Sequence, residues 1–156
     1  EGLRFYPFGN GVERIFNNKN ANSGIQNLNF NMHQSSHLVR SACEGIVFAM
    51  NYGFDVMKSV GASGEIVRAG NANLFLSPVF REIFTNTTQT TLELYNTSGA
   101  EGAARGAAYG YGYYKSLDQA FEGLKCIERI EPKQELMTQY QDIYQEWRNH
   151  IKLELY

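Results

Sequence analysis

Two short stretches combine residue types and placement suited to cradling a ligand. Ala69, Gly70, Asn71, Ala72 and Asn73 end and follow the short apolar run EIVRAG, and Asn96 to Gly99 follow TLELY. Small side chains there let a flat or anionic molecule reach the backbone. Gly70 would supply a positive φ or a close approach, and Asn71 and Asn73 would supply amide donors. The competing reading is two tight turns whose asparagines bond their own backbone. A third group, His37, Arg40 and Glu44, falls at i, i+3 and i+7 on one helical face. It reads either as acid/base machinery or as an ion-pair network, the commoner use of such spacing. Glu13–Arg14 is a further charged pair, or a solvated turn. No phosphate loop of the G-x-x-x-x-G-K-[ST] type, strand-linked G-x-G-x-x-G, H-E-x-x-H, C-x-x-C or G-x-S-x-G occurs. The residues therefore outline a binding site without a complete catalytic set and without a metal site of the protein's own.

Elements that would position these residues follow from periodicity. Leu3 to Phe8 reads as a strand that breaks at Gly9-Asn10-Gly11. Residues 15–31, rich in asparagine, read as a long aperiodic loop of the kind that is often functional. Val39, Cys43, Ile46, Val47, Met50, Phe54 and Met57 recur every three or four residues, which predicts a long helix over 35–60 with those residues buried. A strand over 65–70 leads to Ser77-Pro78, an N-cap followed by proline at the first helical position, and a helix to about 85. A strand over 90–96 leads to Ser98-Gly99-Ala100-Glu101, the S-x-x-E capping box, and a helix over 99–112. Gly102, Gly106 and Gly110 share one face of that helix. Each costs about 0.8–1 kcal/mol against alanine, so the stripe implies close packing or the wall of a ligand groove. Helices over 117–123 and 133–153 complete the chain, the last with Met137, Tyr140, Tyr144, Trp147 and Ile151 on one stripe. Alternating strands and helices predict an α/β domain with a parallel sheet and crossover helices.

Bulk composition sets the class. The 156 residues are 43% hydrophobic and 19% charged, enough for one domain, 1–156, with its own core. A net charge of −2 and the absence of any basic run argue against nucleic acid. No apolar run approaches the length needed to cross a membrane. Two cysteines are too few for a disulfide framework, and Cys43 reads as a small buried hydrophobe. A reduced, cytoplasmic setting is the expectation. The chain opens Glu1-Gly2-Leu3 without methionine, so the sequence reads as a piece of a longer protein.

Four segments in order resemble the FGGY carbohydrate kinases. PFGNGVER (7–14) resembles their P-[YF]-x-x-G-E-R segment with one residue inserted before Glu13. GIQNLNFNMHQSSHLVRSACEGIVFAM (24–50) resembles their H-x-x-R-A-x-x-E-G signature, here His37, Arg40, Ser41, Glu44 and Gly45. RAGNANLFLSPVFREIF is similar to the family's adenosine-site stretch, with Ala69 and Asn71 in place of glycines and extra residues between Ala72 and Ser77. EGAARGAAYGYG (101–112) matches E-G-A-A-x-G-A-A. The tyrosine-rich last helix resembles the end of xylulokinase-type members. The resemblance implies an actin-like (ribonuclease H-like) ATPase fold, of which this chain would be part of the C-terminal half. It implies that ATP and Mg2+ are used, with Ala69, Gly70, Asn71, Ala72 and Asn73 against the nucleotide. The catalytic base, most of the sugar site and the phosphate-gripping hairpin would lie in preceding sequence, so this stretch alone would not phosphorylate a sugar. D-xylulose is the sugar pointed to, ahead of gluconate, ribulose or glycerol. A non-catalytic actin-like binding or assembly module is the alternative. The aromatic stripe of the last helix leaves a homodimer open.

Overall fold

The computed structural model describes residues 1–10, 12–13 and 16–155. The Glu13–Arg14 pair lies outside the residues whose side chains are described. In chain order the elements are β1 (Arg4–Tyr6), β2 (Val12–Glu13), β3 (Lys19–Asn20), β4 (Gly24–Gln26), α1 (Ser35–Ser59), β5 (Ile66–Gly70), a 3-10 turn (Asn73–Leu76), α2 (Pro78–Thr88), β6 (Thr91–Tyr95), α3 (Gly99–Gly110), α4 (Leu117–Ala120), β7 (Cys126–Ile130) and α5 (Gln134–Leu155).

The main sheet has the order β5-β6-β7. β5 and β6 are parallel, joined through α2 as a crossover, in register from Ile66 opposite Thr91 to Gly70 opposite Tyr95. β7 adds antiparallel to β6. The expected parallel sheet is thus a mixed one, and β7 is a strand that periodicity did not reveal. Four of its five residues are exposed, so CIERI lacks the alternation that marks a half-buried strand. β1 does not join this sheet. It pairs antiparallel with β4 inside the stretch expected to be loop. β3, also in that stretch, pairs antiparallel with β2 just before it. Consecutive positive φ values at Asn17 (55°) and Asn18 (64°) turn the chain between them, a conformation asparagine tolerates better than most residues.

One row across the sheet is ionic. Glu93 on β6 accepts from Arg68 of β5 at 3.0 Å and from Arg129 of β7 at 2.7 Å. The Arg68 hydrogen bond, aided by the Tyr95 hydroxyl, holds the Glu93 carboxyl below its ordinary value near 4.5. A depressed carboxyl stabilises the fold above its unfolded pKa, and that contribution is lost as pH falls through the lower folded value. Glu93→Gln is therefore expected to flatten the acid limb of a plot of melting temperature against pH. An acid limb identical to that of the parent chain would show that the row contributes nothing.

The core lies between the sheet and the helices α1, α2 and α5. Phe48, Phe80, Ile83, Phe84, Leu92, Leu94, Tyr144 and Trp147 are all at most 1% exposed. Gly45 explains how α1 reaches β1. A Cβ there would stand 2.2 Å from the carbonyl oxygen of Phe5, so only glycine permits this contact. The same oxygen accepts the indole N–H of Trp147 at 2.9 Å. The buried side of α1 follows its apolar periodicity in part: Val47 is buried, and Cys43, Ile46 and Phe54 pack against the core. Ser41, Gly45, Val47, Phe48 and Asn51 are buried, whereas Val39 and Met57 are exposed. Cys43 is only half-buried; that burial nevertheless raises its thiol pKa. Tyr140, Tyr144, Trp147 and Ile151 of α5 fill the core, so the aromatic stripe is not a surface for a second subunit. The Tyr144 hydroxyl donates to Asp55 of α1 at 2.7 Å, and burial, followed by that bond, pushes its pKa well up.

Candidate functional site

The sheet ends where β5 and β6 both turn away, and the structure brings the two bends together there. Gly70 is the contact. A Cβ on it would lie 2.5 Å from the Thr97 carbonyl oxygen and 3.1 Å from the Ser98 Cα. Asn71 N–H donates to the Tyr95 carbonyl at 2.9 Å. Inside each bend the same step recurs: Ala72 N–H donates to Gly70 O and Thr97 N–H to Tyr95 O, both at 2.8 Å. The close approach expected of Gly70 is therefore to the neighbouring bend. It carries a structural duty, and its φ is not positive.

The remaining residues divide. Ala69 lies within β5, next to its last residue, and packs on the core. The side-chain oxygen of Asn71 accepts from Arg81 of α2 at 3.1 Å, and Arg81 also bonds the Phe75 carbonyl and Glu128. This ties the first bend to α2 and β7. Asn73 follows Ala72, the N-cap of the 3-10 turn, with φ of 53°. That turn accounts for the extra residues before Ser77. Ser77 caps α2, its Oγ accepting from Phe80 N–H at 3.3 Å, with Pro78 at the first helical position as expected. In the second bend, Asn96 is held to Lys125 by two bonds, one from each backbone amide, at 3.1 and 2.6 Å.

α3 leaves this end of the sheet. Ser98 Oγ accepts from Glu101 N–H at 3.3 Å, which is half of the expected capping box. Glu101 instead turns its carboxylate to Arg105, whose hydrogen bond lowers its pKa, with Thr97 adding to the effect. The glycine stripe is open. Nothing lies within 4 Å of a Cβ built on Gly99, Gly102, Gly106 or Gly110, and no residue of α3 is buried. Close helix packing within this chain is thus not what the stripe serves. It leaves bare helix backbone beside the paired bends, the geometry a flat ring can lie against.

His37, Arg40 and Glu44 do not assemble into acid/base machinery. His37 Nδ1 accepts the Gln34 backbone N–H at 3.0 Å and so caps α1. Arg40 donates to Glu44 at 3.0 Å and to the Tyr140 hydroxyl at 2.6 Å, which pins α1 to α5. Sequence spacing placed these residues on one face, but it could not show that α5 supplies the partner. Among the described residues, no group of three or more His, Cys, Asp or Glu could hold a metal ion. Nor is any helix of those residues long and apolar enough to cross a membrane.

No family model and no curated protein matches the sequence. Solved structures do. A xylulose kinase from Rhodospirillum rubrum superposes with a TM-score of 0.75 at 22% identity over 97% of this chain and 30% of its own. A xyloylose kinase from Brucella ovis gives 0.80 at 20% identity, over 98% of this chain and 32% of its own. A glycerol kinase from Plasmodium falciparum, solved with ADP, gives 0.74 at 21% identity, over 99% and 31%. The chain spans about a third of the length of these structures. The chain therefore has the fold of the FGGY carbohydrate kinases, an actin-like ATPase fold, as the order of its motifs implied.

Proposed function

We propose that this chain is the nucleotide-binding part of the C-terminal half of an ATP-dependent carbohydrate kinase, with D-xylulose as the sugar. One observation carries the reading: Gly70 seats the 69–73 bend on Thr97 and Ser98, so both bends and the open glycine face of α3 share one end of the sheet. In open α/β sheets, ligands gather beyond the carboxyl ends of the strands. One solved structure with this fold is a glycerol kinase with ADP. Xylulose is favoured over gluconate or glycerol by the tyrosine-rich last helix, which resembles the end of xylulokinase-type members.

In this reading the bare backbone of Gly102 and Gly106 receives the flat base, and the 69–73 bend lies beside the sugar-phosphate portion. ATP supplies the transferable phosphoryl group. Mg2+ would arrive on the phosphates, since the described residues offer it no cluster. Phosphoryl transfer depends on positioning and charge placement, and this chain contributes the positioning of the nucleotide. The base that deprotonates the sugar hydroxyl belongs to sequence outside it.

The test uses the open helix face. A Cβ at 102 meets nothing within 4 Å, and leucine improves helix propensity by roughly 0.5–0.8 kcal/mol, so Gly102→Leu should fold. ADP-Mg is expected to raise the melting temperature of the parent chain and to leave that of Gly102→Leu unchanged. An equal shift in both would place the nucleotide elsewhere. No shift in either would favour the non-catalytic module.

A further inference from the structure

A recess of about 370 Å3 lies between β1, the 20–26 segment and the last turns of α5, and it shares no residue with the paired bends. This volume falls within the range of small-molecule sites. One wall is a fixed polar chain. The buried Tyr6 hydroxyl donates to Gln26 Oε1 at 2.9 Å, and Gln26 Nε2 lies 3.2 Å from His150 Nδ1. An amide nitrogen can only donate, so in this arrangement His150 Nδ1 is the acceptor. The Tyr6 and His150 rings also touch, tilted by 36° with centroids 4.8 Å apart. Three side chains from β1, β4 and α5 thus hold one another in place before any ligand arrives.

The facing wall is built from 20–23. Ala21 is buried, and Gly9, with φ of 97°, lets the turn after β1 approach so closely that a Cβ would sit 3.0 Å from the Ser23 amide nitrogen. This anchors the segment. Asn20, Asn22 and Ser23 line the recess with side chains that bond no other group among the described residues. Phe8 adds an apolar floor.

The chemistry of the lining selects a ligand class. Among the described residues, no Asp, Glu, Lys or Arg contributes to it. A phosphorylated or carboxylate ligand would give up hydration without a counter-charge, and a purely apolar one would strand the amides. A neutral molecule with several hydroxyls meets both walls, since each hydroxyl donates and accepts, while its C–H face rests on the aromatic floor. We propose that this recess binds an uncharged monosaccharide or polyol at a site separate from the paired bends.

Two-dimensional amide NMR of this chain, titrated with xylitol and with D-xylulose, tests the proposal, with D-xylulose 5-phosphate as the charged control. The neutral compounds are expected to move the amides of 20–26 and the His150 ring saturably, in the millimolar range ordinary for such ligands. The phosphate ester should bind at least ~10-fold more weakly. Ser23→Trp, at an exposed position, should fill the recess and abolish the shifts without unfolding the chain. Gln26→Leu should weaken them by a similar factor. Shifts that are absent, that fall only on 69–73 and 96–102, that are equal for the phosphate ester, or that survive Ser23→Trp would each overturn the proposal.

Discussion

Gly45→Ala is expected to destabilise the chain by about 2–3 kcal/mol, the upper range for forcing atoms into a well-packed core. The added methyl would stand 2.2 Å from the Phe5 carbonyl oxygen. Main chain, unlike a side-chain tip, cannot rotate out of the way. Either α1 lifts off β1 or β1 moves and the 2.9 Å bond from Trp147 is lost, at a further cost of about 1 kcal/mol. The helix propensity gained with alanine, roughly 1 kcal/mol, offsets only part of this. For a chain of this length the melting temperature should fall by roughly 5–10 °C. Gly53 is the internal control. It lies on the same helix with nothing within 4 Å of a built Cβ, so Gly53→Ala should raise the melting temperature instead. Equal melting temperatures for the two variants would mean that the contact at Gly45 is soft.

Gly70→Ala should have the second large effect, and for the same kind of reason. Its Cβ would meet the Thr97 carbonyl oxygen at 2.5 Å, so β5 and the second bend must separate. A loss of about 2 kcal/mol is expected, together with the Asn71–Tyr95 backbone bond. Under the proposed function, ADP-Mg affinity should drop by at least ~10-fold, a change of 1.4 kcal/mol, because the two bends no longer form one surface. The two variants, Gly70→Ala and Gly102→Leu, divide the question. The first disturbs the scaffold under the nucleotide. The second leaves the scaffold intact and blocks the face. Unaltered ADP binding by a folded Gly70→Ala would show that the pairing of the bends does not matter to the ligand.

What the sequence disclosed depended on how local the cause was. Ser77-Pro78 and Ser98 announced their helices because a cap needs only its own neighbours, and both hydroxyls take the expected amide. The motif glycine at 45 was visible as a residue, but its purpose was not, since the Phe5 carbonyl it meets is forty residues away. The apolar stripe of α1 located its buried side in part: Cys43, Ile46, Val47 and Phe54 meet the core, while Val39 and Met57 stay exposed. His37 looked like a candidate for proton transfer. The structure uses its Nδ1 on Gln34, a cap position that glutamine seldom advertises. β7 escaped notice because it is an outer strand whose Glu128 and Arg129 meet partners on α2 and β6. At the nucleotide end, the bends were legible from small residues after apolar runs. Their mutual contact through Gly70 was not.

The carbonyl oxygen of Phe5 is a shared fastening. It accepts from the indole on the final helix and lies directly beneath the backbone of the first long one. Two helices whose sequences are separated by more than seventy residues therefore have no independent way to loosen. Hydrogen exchange in the middle of both should proceed through a single opening event with one free energy, while α3, which buries nothing, exchanges on its own and much sooner.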